Sequence, residues 1–396
     1  MYYYNIEKKK KQVEILKDLD GRGKKRDWDG KKKAGLKLSR VYSDIAKQVK
    51  PEYEQRGVHT RYDKKTGAKP IGLYDTCGQR VVNYEKRAAN MKYCGSHLDF
   101  VEVDEKLKLV KANFCRVPLC PMCQWQKSMR IYRDVSRIMK IIEVRPAYVT
   151  YVPVFLTLTV KNCSVADLSG TLDMMFKGWD SMMRSDALNP AREPIVKGWF
   201  RALEVEYKHK TDEFHPHFHA VMLVERSYFT GKNYKSTADW VQLWRRFAKL
   251  DYDPICDIRK TRTSKDKRNE VAEVAKYTYK DSEILNNILT DEKKIEVVKA
   301  LSTAFHGRRL YAYGGCMKTI AAELKAKDAA DKAEAEADEA DESEINDGPA
   351  KTILSYRWDM SLSLYLRYEK NEKKEKGFSR KKDERENINL RQIKIE

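Results

Sequence analysis

His215-Pro-His217-Phe218-His219-Ala-Val-Met-Leu-Val224 places two imidazoles two residues apart at the mouth of an apolar strand. Residues i and i+2 of a strand share a face, so His217 and His219 project together while Phe218 turns to the other side. Two imidazoles on one face make half of a divalent metal site. The triplet alone is a weak signal, because half-buried histidines are common; its surroundings give it weight. Upstream, Phe200-Arg-Ala-Leu-Glu204-Val-Glu206-Tyr207 alternates as a half-buried strand. The connection at 208–214 is short and polar, so the two strands read as a hairpin and as antiparallel neighbours. Thr157-Leu-Thr159-Val160 lies in a β-branched run that begins at Tyr151 and reads as a further strand.

Downstream, residues 238–250 read as a helix with Trp240, Leu243, Trp244 and Phe247 on one face, and 257–262 as a strand. The pattern at 270–280 is helical. There Glu273 and Tyr277 stand at i, i+4, and Lys280 follows Tyr277 by three, so one face presents a carboxylate, a phenol and an ammonium. A phenol ionises near pH 10, so a nucleophilic tyrosine needs a cation beside it, and Lys280 is spaced to supply one. Tyr279 points elsewhere on such a helix. Taken alone, this is an ordinary surface helix with a Glu–Lys pair; beside a histidine-pair strand in a basic chain, the chemical reading gains.

Lys and Arg outnumber Asp and Glu by 79 to 59 in 396 residues, a net charge of +20. Charge on that scale points to a polyanionic partner, and nucleic acid fits best. The N-terminus, Met-Tyr-Tyr-Tyr-Asn-Ile-Glu-Lys-Lys-Lys, has no apolar core of the kind a secretory leader carries. No apolar run approaches the ~20 residues of a membrane helix. The expectation is a cytoplasmic protein whose eight cysteines are reduced or metal-bound. There is no His-Glu-x-x-His helix of a zinc hydrolase.

Residues 1–69 read as a basic, partly disordered arm; the first 50 carry 16 Lys/Arg against 7 Asp/Glu. Residues 70–148 read as a zinc-binding and DNA-contacting segment. Cys115-Arg-Val-Pro-Leu-Cys120-Pro-Met-Cys123 lets two thiolates of the Cys-x2-Cys turn reach one tetrahedral zinc. Cys94, followed by Gly95, is the best fourth ligand, with Cys77-Gly78 and His97 as alternatives. Cys163, Cys256 and Cys316 are isolated and read as packed side chains. Gln124-Trp125-Gln-Lys127-Ser-Met-Arg130 opens a helix with basic residues suited to phosphate contact, or simply an amphipathic helix. Residues 149–324 carry the alternating strands and helices. The run at 321–347 is acidic and of low complexity, and 325–350 reads as a frayed helix or solvated linker. Residues 351–396 read as an ordered segment through Trp358, Leu362, Tyr365 and Leu366, then a charged tail.

Taken in order, these pieces resemble the replication initiators of rolling-circle plasmids from Gram-positive bacteria, within the HUH endonuclease superfamily. Cys94-Gly-Ser-His-Leu-Asp-Phe and Ala112-Asn-Phe-Cys115 through Cys123 look like the family's cysteine region. Phe155-Leu-Thr-Leu-Thr-Val-Lys161-Asn162 is similar to its first motif, His215-Pro-His217-Phe-His219 to its metal motif, and Glu273-Val-Ala-Lys-Tyr277-Thr-Tyr-Lys280 to its nucleophile motif. Arg308-Arg-Leu-Tyr-Ala-Tyr-Gly314-Gly315 resembles a segment near the domain end. The resemblance covers roughly residues 70–325.

It implies an α+β fold, an HUH-type antiparallel sheet flanked by helices, with an N-terminal cysteine-rich zinc-binding segment. It also implies that His217 and His219 hold Mg²⁺ or Mn²⁺ at a scissile phosphate, with Glu204 completing the set and Glu206 or His215 as alternatives. Tyr277 would attack phosphorus, leaving a 5′-phosphotyrosine and a free 3′-OH primer. Glu273 matches the position of a glutamate that activates water at termination in some members. A second-tyrosine role for Tyr279 stays open. The implied partners are plasmid origin DNA, single-stranded at the nick, with a host helicase and DNA polymerase; a homodimer also stays open. Two rival readings remain: another HUH nickase, such as a relaxase or single-strand transposase, and a zinc-containing DNA-binding regulator without chemistry.

Overall fold

The computed structural model describes residues 14–20, 23–55, 81–261, 264–275, 279, 281–341 and 352–368. Helix α1, Trp28–Gln55, comes first. Leu38, Tyr42, Ile45 and Val49 recur along one side at helical spacing and are all buried. Lys33, Lys37, Arg40 and Lys47 are exposed on the other side. The stretch expected as a basic, partly disordered arm contains a core helix at 28–55. Its lysines occupy the solvent face of an amphipathic stripe, and their density hid the stripe. The Tyr42 hydroxyl lies 2.6 Å from Ser302 Oγ, far along the chain.

Helix α2 (Tyr84–Tyr93) leads into strands β1 (His97–Val103) and β2 (Lys106–Ala112), then helix α3 (Pro121–Val144). Pro121 opens α3 at a position where no amide hydrogen is missed. Next come β3 (Tyr151–Thr159), the short β4 (Cys163–Ser164), α4 (Leu168–Arg184), β5 (Val196–Lys208), β6 (Glu213–Glu225) and α5 (Thr237–Phe247). A capping box between Ser236 and Asp239 starts α5. The chain continues through β7 (Cys256–Lys260), α6 (Ser264–Val274), α7 (Asp281–Ile284), α8 (Asp291–Phe305), β8 (Tyr311–Gly314) and α9 (Gly315–Asp341). Two last strands are β9 (Ile353–Asp359) and β10 (Leu364–Tyr368).

Two antiparallel sheets result, so the fold is α+β. The six-stranded sheet runs β7-β3-β6-β5-β8, with β4 pairing β6 at its end. Its central strand carries the histidines, and the predicted hairpin with β5 is present with Glu204 opposite His217. Pro216 in a central strand would break a ladder. Here it falls between Phe214, which pairs with β4, and His217, where pairing with β3 starts.

Helices cover both faces of this sheet. Ile131, Val135 and Ile138 of α3, Val271 and Val274 of α6 and Met317 and Ile320 of α9 pack on Phe155, Phe200 and Val221. On the other face, Leu172, Met175 and Trp179 of α4 and Trp240 and Trp244 of α5 pack on Leu156, Leu203 and Phe218. The β5 strand, expected as half-buried, is thus covered on both sides. The Trp244 indole also donates to the Thr159 carbonyl at 2.8 Å, tying α5 to the end of β3.

The four-stranded sheet runs β10-β9-β1-β2. The C-terminal segment was expected to be ordered, and it is, but its strands complete the sheet of the cysteine-bearing segment. Leu16 N–H donates to the Tyr365 carbonyl and Arg367 N–H to the Glu14 carbonyl, so both ends of the described chain meet there.

Two further expectations change. The helix read at 270–280 runs instead from Ser264 to Val274, with Ala275 in a turn and Tyr279 in a bend. The acidic run is helical as far as Asp341, and its first turns dock on α3. Arg137 makes a two-pronged pair with Asp328 at 2.9 and 2.8 Å. Arg145 pairs with Glu323 at 2.8 Å. These pairs, with Met317 and Ile320 beneath, hold what composition alone reads as a linker. Residues 342–351 lie outside the described ones.

Candidate active site and thiol centre

The register of β3, β6 and β5 decides what faces α3 and α6. His217 and His219 point to that side, opposite Thr159 and Thr157 of β3 and opposite Glu204 and Ala202 of β5. All three of Glu204, His217 and His219 are buried. Their donor atoms lie within 4.8 Å of one another. Glu204 Oε2 stands 3.2 Å from His219 Nε2 and 3.5 Å from His217 Nε2. Ligands at about 2.1 Å from one divalent ion, at angles near 90–110°, are separated by about 3.0–3.5 Å. The set fits such an ion.

Supporting contacts aim the rings. His217 Nδ1 lies 3.2 Å from the His215 carbonyl, and its Nε2 faces Glu204. His219 Nδ1 lies 3.2 Å from Thr157 Oγ1. Burial by itself raises the Glu204 carboxyl, but hydrogen bonds and charge from His217 and His219 outweigh it and hold the group well below the usual carboxylate range. It is an anion, as a ligand must be. The alternatives are placed otherwise. His215 Nδ1 is engaged by Asn162 Oδ1 at 2.9 Å, and burial, then the nearby His217, lowers its pKa. Glu206 stands opposite His215, one step farther along the hairpin.

Glu273, on the last turn of α6, brings Oε1 to 3.6 Å from His219 Nε2. The helix thus delivers a second, partly exposed carboxylate to the metal-type cluster. Tyr277 and Lys280 lie outside the described residues. Tyr279 is buried, and its hydroxyl donates to the Leu119 carbonyl.

The thiol centre is a second cluster. Cys94, Cys115, Cys120 and Cys123 converge. Sγ–Sγ distances are 3.5 Å for Cys94–Cys123, 3.6 Å for Cys115–Cys123 and 3.5 Å for Cys94–Cys120. Thiolates about 2.3 Å from a tetrahedral zinc would be about 3.8 Å apart, whereas a disulfide needs about 2.05 Å. Gly95 has φ +62°, the left-handed turn expected of the residue after Cys94. The Cys115 amide donates to Cys94 Sγ at 3.3 Å and the Arg116 amide to Cys123 Sγ at 3.2 Å. Proton sharing with Cys120, Cys123 and Cys94, then burial, pushes the Cys115 thiol far up. A divalent cation among four such sulfurs would reverse that. His97 sits near Asp99, outside this set. Cys77 lies outside the described residues.

Lys32, fully buried, reaches from α1 to the same turn. Its ammonium donates to the carbonyls of Lys92 at 2.8 Å and Cys94 at 2.7 Å. Sequence reasoning missed it among its neighbours, and it missed Thr157 as the support for His219. The signal for Lys32 was its place on the apolar stripe, between the half-buried Lys31 and the exposed Lys33. Thr157 had none short of the β3–β6 register.

A family model described as replication protein matches residues 106–365. Protein rep of Bacillus amyloliquefaciens is 32% identical over 369 residues, covering 89% of this chain and 97% of that protein. Protein rep of a Bacillus species is 35% identical over 265 residues, covering 63% of this chain and 84% of that protein. Protein rep of Streptococcus pneumoniae serotype 2 is 30% identical over 325 residues, covering 81% and 86%. No solved structure matches. Among the described residues, no helix is long and apolar enough to cross a membrane.

Proposed function

Because this chain belongs to the replication protein family, we propose that it initiates rolling-circle replication of a plasmid by nicking one strand at the double-strand origin. The observation that carries this reading is the buried Glu204–His217–His219 set beside Glu273. A regulator that only binds DNA has no use for three convergent buried ligands with a further carboxylate beside them.

In this reading the Tyr277 phenolate attacks the scissile phosphorus in line. The Tyr277 O–P bond forms, the P–O3′ bond breaks, and the 3′ oxygen leaves to take up a proton as the primer hydroxyl. The DNA stays attached through a 5′-phosphotyrosine. His217, His219 and Glu204 would hold Mg²⁺ or Mn²⁺, which when bound supplies Lewis-acid polarisation of the phosphate. Thr157 and the His215 carbonyl contact Nδ1 of the two imidazoles, so both rings would offer Nε2 to the ion. Lys280, three residues after Tyr277, stabilises the phenolate. Glu273 takes a proton from water at termination, so that hydrolysis or strand transfer ends the cycle without a second tyrosine. The cysteine set holds structural Zn²⁺. The substrate is origin DNA, single-stranded at the nick, and the setting is the cytoplasm, where a host helicase and DNA polymerase extend the primer.

The test is nicking of supercoiled origin plasmid with Mn²⁺ or Mg²⁺. Wild type gives nicked circles carrying covalent protein, and Tyr277→Phe gives neither. Binding without nicking by both proteins would favour the regulator instead.

A further inference from the structure

Helix α3 carries two cations to the site face of the six-stranded sheet, where they meet one tyrosine. Lys127 Nζ lies 5.0 Å over the ring of Tyr311, and Arg130 Nη2 donates to the Tyr311 hydroxyl at 3.2 Å. Tyr311 stands opposite Ala202 on β5. Glu204 is two residues from Ala202 on the same face, roughly 7 Å along the strand.

Among the described residues neither cation is in an ion pair. Asp134, one turn along α3, is bonded by Arg133 at 3.0 and 2.8 Å. Lys127 is half-buried and Arg130 exposed; partial burial, then the charge of Arg130, lowers the Lys127 pKa to about 8. Desolvating an ammonium beside a guanidinium is unfavourable, and a ring face returns only part of the loss. Two convergent donors of like charge are stabilised by one anion between them, and a phosphate oxygen accepts from both.

We propose that Lys127 and Arg130, backed by Tyr311, form a phosphodiester clamp that grips the DNA backbone next to the scissile phosphate. The assignment rests on reading the adjacent Glu204–His217–His219 set as a nicking site. The Tyr311 ring sets the reach of Lys127, and its hydroxyl sets that of Arg130. The clamp lies beside the metal-type cluster on the same face, so a strand held here is presented to it.

The test uses a mixed-sequence single-stranded 20-mer and full-length protein, with binding measured across a salt series. Lys127→Met and Arg130→Gln are each expected to weaken binding about tenfold. Each should also reduce the slope of log K against log salt by about 0.7, the share of one backbone phosphate on a single strand. Lys127→Arg should restore the slope. Lys249→Met, an exposed lysine just beyond α5, should leave both unchanged. Slopes for Lys127→Met and Arg130→Gln within error of wild type would overturn the clamp, and so would an equal loss in Lys249→Met. Nicking by wild type is scored separately on plasmid. A Lys127-dependent slope without nicking removes the nickase reading and keeps an anion clamp; nicking with an unchanged slope does the opposite.

Discussion

Tyr279 donates its hydroxyl to the carbonyl of Leu119, the residue before Cys120. A few residues away, Ser128 Oγ donates to the Ala275 carbonyl. The chain is therefore fastened to the thiol turn and to α3 on both sides of Tyr277. Tyr279→Phe leaves the Leu119 carbonyl without this partner, at a cost of about 1–3 kcal/mol. The expected result is a lower melting temperature and nicking slowed roughly five- to tenfold, with the covalent adduct still formed. Peptide mapping of the adduct checks this: attachment at 279 would make Tyr279 the nucleophile.

Chelation tests the thiol centre. One zinc per chain should be released from wild type and none from Cys120→Ser, read with a metal-sensitive dye. Since Lys32 binds the Cys94 carbonyl, metal loss should loosen α1 as well. Hydrogen exchange across residues 28–55 should speed up after chelation, and unchanged protection there would separate the helix from the metal.

The half-buried ammonium of Lys127 gives a pH dependence of stability. Its folded pKa is about 8 against an ordinary 10.5, so between these values the unfolded chain binds the extra proton. Stability from this group therefore rises with pH from about 8 to 10.5. Chemical denaturation of wild type should gain over Lys127→Met across that window and run parallel to it below pH 7. Parallel curves throughout would show Lys127 to be solvated. Arg130 and the Tyr311 ring are the groups facing it.

Helix α9 lays acids on Arg137 of α3 and on Arg145 just beyond its end. Replacing Asp328 and Glu323 with alanine frees Arg137 and Arg145, which should strengthen binding to mixed-sequence DNA and steepen its salt dependence. Thermal stability should change little, since such pairs at a surface contribute little. Unchanged DNA binding would mean those arginines lie off the DNA path.

The metal-type cluster was legible because it needs only short-range rules. Alternation places His217 with His219, and a short polar connection makes Glu204 their neighbour. Spacing gathered Cys115, Cys120 and Cys123, and Gly95 favoured Cys94, though Cys77-Gly78 carried the same signal in the sequence. What stayed hidden depends on distant partners. The pairing of Thr157 with His219 spans 62 residues. Lysine density masked the Leu38–Tyr42–Ile45–Val49 stripe, and nothing before residue 352 announces that β9 will pair with β1. The early end of α6 has no Gly or Pro to signal it; a side chain from another helix, Ser128, takes the Ala275 carbonyl instead.

The meeting of residues 14–16 with residues 365–367 at the four-stranded sheet fixes an order in time. The six-stranded sheet has all its strands once Gly314 has left the ribosome, but β1 waits for β9, and residues 14–16 wait for β10. At about 5–20 residues per second, several seconds separate the two. Closing a loop of more than 300 residues, as the Arg367–Glu14 pair does, is also slow. A newly made chain thus has its histidine strand assembled before the layer that carries the thiols is shut, and β10, the last strand among the described residues, is the one that seals it.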